Sequence, residues 1–444
     1  MRVLMFGWEF PPHVSGGLGT ACFGLTRALT GLGHEICFVL PRLKGEMLSS
    51  HVELIPASEV PVPIRPSESL VADYPDSPGD PEGIYKGLQL RLINSILRPY
   101  LTEQQYQSLL YGHYPPLSPD EGRDGETMEG YRLLDIPGDY GPNLIAEVLR
   151  YATVAGVIAE SQAFEVIHCH DWMTVFAGVQ ARKKSGRPLV LHIHATEYDR
   201  SGENIDRNVY DIERYGMSSA DRIVAVSHYT KRTIIERYGI APERIAVVHN
   251  AVTSSEARQT MRVIKDPDTK IVLFLGRITF QKGPDYFVEA AAKVLDIVPD
   301  VTFIMAGAGD MMPRMIERVA ELGIGRHFHF TGFLQGAEIE RIFSMSDLYV
   351  MPSVSEPFGI SPLEAMMYDV PVIISRQSGV SEILKHALKV DFWDIDEMVN
   401  KIVAILKFPA LGGEIIERSR EELRNIRWEY AAEKIVEVYQ GLLP

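Results

Sequence analysis

The sequence predicts an α/β protein built as two doubly wound parallel sheets, one following the other along the chain. Three observations carry this. At 444 residues the chain exceeds what one hydrophobic core usually serves, so two domains are expected. Residues 2–40 run strand, glycine-rich turn, helix, strand, the pattern of a parallel crossover unit. A second set of short apolar runs, alternating with helical stretches, begins near residue 271.

Taken in order, RVLMFG (2–7) is a buried strand, and GGLGTACFGLTRALTGLG (16–33) is a helix entered through glycines and closed by Gly33. EICFVL (35–40) is the next strand. Residues 56–142 break the alternation. They hold 13 of the 28 prolines and acidic runs such as YPDSPGDPEG, which reads as a long insertion with some helix near 84–112. Alternation resumes with a helix at 144–160, then strand VIHCH (166–170), a helix at 173–185 and strand PLVLHIH (188–194). Strands RIVAV (222–226) and RIAVVH (244–249) complete the first domain, residues 1–255, and the polar stretch near 253–268 reads as a linker.

The second domain, 265–425, takes strands from IVLFLG (271–276), VTFIMAG (301–307), HFHFTG (327–332), LYVMPS (348–353) and PVIIS (371–375). The tail WEYAAEKIVEVYQGLL (428–443) is an amphipathic helix, and residues 426–444 are expected to pack back on the first domain.

Composition narrows the function classes. The net charge of −15, without a basic stripe, argues against nucleic-acid binding. Three cysteines, Cys22, Cys37 and Cys169, are too few for a disulfide framework and suit a reducing cytoplasm. MRVLMFGWEF is too short and too soon charged for a signal peptide, and no apolar run approaches the ~20 residues of a membrane span. A homo-oligomer is compatible with this composition.

Ligands of open parallel sheets bind beyond the carboxyl ends of the strands, so the residues following each strand are the candidates. After the first strand come Gly16 and Gly17, which let the backbone pass close to a ligand and lead into a helix N-terminus suited to an anion. Asp171 follows the strand at 166–170, and His194 ends the strand at 188–194. His168 with His170, and His192 with His194, form two H-x-H strands. Asp171 is the only obvious further ligand, so hydrogen bonding within the core is preferred to a metal site. Arg277 and Lys282 follow the strand at 271–276 and precede a helix at 283–295. A forked guanidinium and a compact ammonium at that place fit a diphosphate.

SEPFGISPLE (355–364) follows the strand at 348–353. A capping box from Ser361 to Glu364 would explain Glu364 but not Glu356 or Gly359. Gly359 lets amides approach a ligand, Glu356 is placed for sugar hydroxyls, and Glu364 for a ribose diol, since carboxylates accept from paired hydroxyls.

Together these segments resemble the retaining nucleotide-sugar glycosyltransferases of families 4 and 5, the glycogen and starch synthase-like group. The match runs through SGGLG, HCHDW, LHIHATEYDR, VSHYTKR, VVHNAV, LGRITFQKGPD, FTGF and the E-x7-E motif SEPFGISPLEAM. The resemblance implies a GT-B fold: two Rossmann-like domains facing across a cleft, with the last helix crossing back to the first. It implies metal-independent transfer of a hexose with retention, glucose foremost, from ADP- or UDP-glucose as co-substrate to a growing α-glucan or another carbohydrate acceptor. No resident cofactor is implied.

By the same resemblance Arg277 and Lys282 stabilise the departing diphosphate and Glu364 binds the ribose. Glu356 and the amides of Phe358, Gly359 and Ile360 hold the donor sugar or its phosphate. His194 lies against the sugar, Asp171 near sugar or acceptor, and Gly16 and Gly17 near the phosphates. Ser15 departs from the lysine that glucan synthases usually carry there, which removes one phosphate cation. Rival readings are a family 4 enzyme with a small or lipid acceptor, a sugar-nucleotide 2-epimerase, and a sugar-binding relative without activity. The epimerase lacks a convincing acid/base set, and a binding-only relative has no need of leaving-group cations.

Overall fold

The computed structural model describes residues 1–11, 16–43, 51–63, 127–128, 131–138, 140–141, 144–252 and 269–444. Ser15, most of the proline-rich insertion with its expected helix, and the linker at 253–268 lie outside the described residues.

Sixteen strands are described. The first sheet uses β1 (Arg2–Phe6), β2 (Glu35–Leu40), β3 (Glu53–Pro56), β7 (Val166–His170), β8 (Leu189–Ile193), β9 (Arg222–Ala225) and β10 (Ile245–Val247). Short strands β4 (Val62–Pro63), β5 (Thr127–Met128) and β6 (Tyr131–Arg132) make a small antiparallel sheet of their own. The second large sheet uses β11 (Lys270–Leu275), β12 (Val301–Ala306), β13 (Phe328–Gly332), β14 (Leu348–Met351), β15 (Val372–Ser375) and β16 (Leu388–Val390). Both large sheets are parallel throughout. Helices cover both their faces, so the central strands are buried on both sides and read as continuous apolar runs.

Strand order decides where ligands can bind. The first sheet runs β10-β9-β8-β7-β1-β2-β3, and the second runs β13-β12-β11-β14-β15-β16. In each, the chain leaves in one direction and then returns to build the other way. The switch points therefore lie between β1 and β7, and between β11 and β14. Loops there diverge to opposite faces and leave a crevice at the carboxyl edge.

The tail helix Trp428–Gln440 returns to the first sheet. Trp428, Ala432, Ile435 and Tyr439 enter the same core as Cys22, Leu25 and Leu29 of the helix Gly17–Gly31. Gly24 is what permits the approach, because a Cβ there would stand 2.2 Å from Trp428 Cε2. At the crossing, Val252 and Arg427 form an isolated parallel bridge. Cys22, Cys37 and Cys169 are buried and unpaired. Among the described residues no helix is long and apolar enough to cross a membrane.

Candidate active site

The loops that leave the two switch points carry the residues singled out from the sequence. In the first sheet, Gly16 is the extended N-cap of the helix Gly17–Gly31. That helix has no side-chain cap and no acidic residue in its first turn. Among the described residues, a Cβ at Gly16 or Gly17 would meet nothing within 4 Å. The first N–H groups and dipole of that helix are suited to an anion.

Asp171 stands at the end of β7 with φ 59° and ψ 179°, a conformation that costs a non-glycine residue roughly 1–3 kcal/mol. Its carboxylate accepts from the backbone N–H of His194 at 2.6 Å and of Ala195 at 3.3 Å. The strained turn thus anchors the loop that leaves β8. Burial raises the Asp171 carboxyl to about 6, against the pull of Arg200 and of these two amides.

His194 lies with its Nε2 3.0 Å from His170 Nδ1, and burial lowers it to about 3. It is therefore a neutral imidazole, able to donate or accept a hydrogen bond without carrying charge. His168 Nδ1 is 2.6 Å from the Tyr439 hydroxyl of the tail helix, and His168 Nε2 is 3.2 Å from His192 Nδ1. His168, His170 and His192 offer ring nitrogens within 4.8 Å of one another, enough to hold a metal ion by geometry alone. No carboxylate belongs to that group, and Asp171 is committed to two amides. A dication there would be buried without a neutralising anion, which is costly. The chemistry of the donor set fits a hydrogen-bonded core better than a metal site.

In the second sheet, Arg277 follows β11 and donates from Nη2 to Gln281 Oε1 at 3.2 Å. A 3-10 turn, Phe280–Lys282, then leads through Gly283 (φ 62°) into the helix Pro284–Leu295, with proline at its first position. A Cβ on Gly283 would lie 2.2 Å from Pro352 O, so the β11 and β14 loops touch at this glycine. The glycines of AGAGD have a related purpose: Gly307 and Gly309 would drive a Cβ into the backbone of Gly276 and Ile278.

Lys282 Nζ lies 2.5 Å from Glu356 Oε2, which also accepts from Ser353 Oγ at 3.2 Å. Glu356 is 5% exposed, and its main chain is clamped from both sides: its N–H donates to Gln377 O, and its C=O accepts from Gly379 N. Gly359 has φ 97°, and a Cβ there would press on Glu356 Cγ at 3.1 Å. Phe358 is buried, its C=O accepts from Val380 N, and its ring sits 6.1 Å from that of His249. Ile360 packs against the cores of both large sheets.

The Ser361–Glu364 capping box does not form. The helix Ser361–Met367 has Ile360 at its N-cap without a side-chain cap bond. The Glu364 N–H donates to Ile360 O at 3.1 Å, the ordinary helical bond.

Several residues that hold the site together were not singled out from the sequence. Asp199, Tyr229 and Ser355 form one polar chain across the two sheets. Glu382 accepts from the N–H groups of His228 and Tyr229 at 2.9 and 2.6 Å and pairs with His249 at 3.0 Å. Ser227 Oγ donates to Pro357 O at 2.6 Å. The pattern Thr196-x-x-Asp199 in ATEYDR was the one legible signal, being a helix-start signature.

Three family models tile the chain: the starch synthase catalytic domain over residues 2–94, glycosyltransferase family 4 over 97–256, and glycosyl transferases group 1 over 257–422. The chain is a glycosyltransferase of GT-B fold, similar to glycogen and starch synthases. This glycosyltransferase is 25% identical over 459 residues to an uncharacterised glycosyltransferase of Methanocaldococcus jannaschii, spanning 99% of this chain and 98% of that one. It is 24% identical over 448 residues to a glycogen synthase of Mycobacterium tuberculosis, spanning 99% and 94%. A sucrose-phosphate synthase from Thermosynechococcus elongatus has a similar structure, with TM-score 0.69 at 17% identity over 99% of this chain and 98% of that one.

Proposed function

We propose that the protein transfers a hexose, glucose foremost, from a nucleotide diphosphate sugar to a growing α-glucan, with retention and without a metal ion. The observation that carries this reading is the Lys282–Glu356 contact at the β11/β14 switch point. It joins a cation suited to a leaving diphosphate with a carboxylate suited to sugar hydroxyls. The difficult step is parting a sugar with cationic character from a diphosphate. Positive charge fixed at the leaving group lowers that barrier without reorganisation. Arg277 grips oxygens of the diphosphate, Lys282 turns from Glu356 toward it, and Glu364 takes the ribose hydroxyls. Neutral His194 hydrogen-bonds the sugar without repelling its developing positive charge. Asp171 holds the His194 loop, and the helix behind Gly16 and Gly17 faces the phosphates.

The two glutamates are not a glycosidase pair, because Glu356 is tied to Lys282 and Glu364 lies on the following helix of the same loop. The family 4 match over 97–256 favours one second reading, transfer to a small or lipid acceptor. Three unpaired buried cysteines are in keeping with the cytoplasm.

The test is a panel of ADP-, UDP- and GDP-sugars with glycogen, maltooligosaccharides and small acceptors, read by nucleoside-diphosphate release and by sugar incorporation. Glucose incorporated into glycogen is the expected result. Release with small acceptors alone moves the protein to the second reading, and no release with any pair sinks both.

A further inference from the structure

One carboxylate ties the two halves of the site together. Asp199 is 2% exposed and sits five residues after His194. Its Oδ2 accepts from both the N–H and the hydroxyl of Thr196, each at 2.7 Å, closing a capping box at the start of the short helix Glu197–Ser201. Its Oδ1 accepts from Ser355 Oγ at 2.6 Å, on the loop that enters Glu356. Because Ser355 donates to Asp199, the Tyr229 hydroxyl, 3.0 Å from Ser355 Oγ, is the donor to Ser355. The Glu356 loop is in turn bonded to the cation segment: Val354 N donates to Gln281 O at 2.9 Å, next to Lys282. The guanidinium of the neighbouring Arg200 is held by Glu197 and Glu213.

The geometry points to Asp199 as an interlobe positioning residue that holds the His194 loop in register with the Glu356–Lys282 loop through Ser355. This deepens the proposed transfer reaction and rests on it. The donor-side groups Arg277, Lys282 and Glu364 all belong to the second sheet, so the nucleotide can bind without the tie. Alignment of His194 over the sugar is what the tie fixes, since Asp199 lies on the loop that leaves His194. Misplacement of a reacting group by about 1 Å costs on the order of 10²-fold in rate.

The experiment compares wild type, Asp199→Asn, Ser355→Ala and the double variant. The expected result is a fall in kcat of about 10²-fold for Asp199→Asn and about tenfold for Ser355→Ala, with donor KM and the affinities for UDP and ADP, by calorimetry, within about twofold. The double variant is expected to be no slower than Asp199→Asn, because both substitutions break one shared bond. Ser355→Ala removes a single hydroxyl and keeps the test open should Asp199→Asn fold poorly. A kcat near wild type in both variants, a loss confined to KM and nucleotide affinity, or multiplied effects in the double variant overturns the assignment. Amide exchange of residues 353–360 and 194–201 is read in the same proteins. Lost protection confined to those segments supports the tie, and unchanged protection overturns it. Should wild type turn over no nucleotide sugar, the transfer reading fails, and the exchange result alone decides the tie.

Discussion

Lys282 and Glu356 make a contact of 2.5 Å between residues 74 apart in sequence, across the switch point of the second sheet. In the proposed transfer, the cation for the leaving group and the carboxylate for the sugar would part from each other when a donor binds. The pair keeps a buried carboxylate compensated.

Removing Lys282 should therefore cost stability as well as activity. Lys282→Ala is expected to lower turnover by about 10²-fold or more and to destabilise by about 1–3 kcal/mol, because Glu356 loses its charged partner. Adding Glu356→Gln to it should restore most of the stability and none of the activity. Arg277→Ala should lower turnover similarly, because it removes a second cation from the leaving group. Denaturant unfolding beside steady-state rates checks each; near-normal rates in both cation variants remove the leaving-group assignment.

Gly24 reports whether the tail helix matters to the first sheet. Gly24→Ala places a methyl 2.2 Å from Trp428 Cε2, so either the indole or the helix must move. A loss of about 1–3 kcal/mol is expected. Faster amide exchange across Trp428–Gln440, with the second sheet unaffected, is the accompanying signature. An unchanged melting midpoint would show that the contact is not needed.

Asp171 predicts a pH dependence. Its folded value of about 6 lies above the ordinary 3.8, chiefly through burial, with Arg200 and two amides pulling down and Asp199 pushing up. The ionised form is thus the disfavoured one in the fold. The cost is absent below about pH 4, grows between about 4 and 6, and is fully present above 6. Stability relative to Asp171→Asn should fall across that window by up to about 3 kcal/mol. Asparagine tolerates the positive φ, so the comparison isolates the charge. Equal stability differences at pH 4.5 and pH 7 would contradict the buried carboxylate.

The histidine cluster predicts metal independence. His168, His170 and His192 are neutral, mutually bonded or packed, and lack an anionic ligand. Chelation by EDTA should leave turnover unchanged, and elemental analysis should find no stoichiometric metal. Turnover that disappears with EDTA and returns with zinc would overturn this.

Much of the fold was legible because parallel strands covered by helices are continuous apolar runs. VIHCH, EICFVL and VTFIMA read directly as strands. Edge strands were missed: β3 and β16 are short and less buried, so their composition resembles loop. The tail helix was legible from its amphipathic period, although it stops at Gln440. At the site, glycines before helices and charged residues after strands stood out singly. The capping box that local spacing allowed at Ser361 does not form, because the helix begins one residue earlier with Ile360 as its N-cap.

By itself the sequence determined the alternation of strand and helix, the carboxyl-edge loops, and the residue types in them, because these depend on burial pattern and local backbone chemistry. Tertiary structure alone decided the partners: Glu356 for Lys282, Ser355 for Asp199 across 156 positions, and Tyr439 for His168 across 271. Those meetings follow from strand order and from the return of the last helix. Both are settled by how whole layers pack, and no local pattern encodes that.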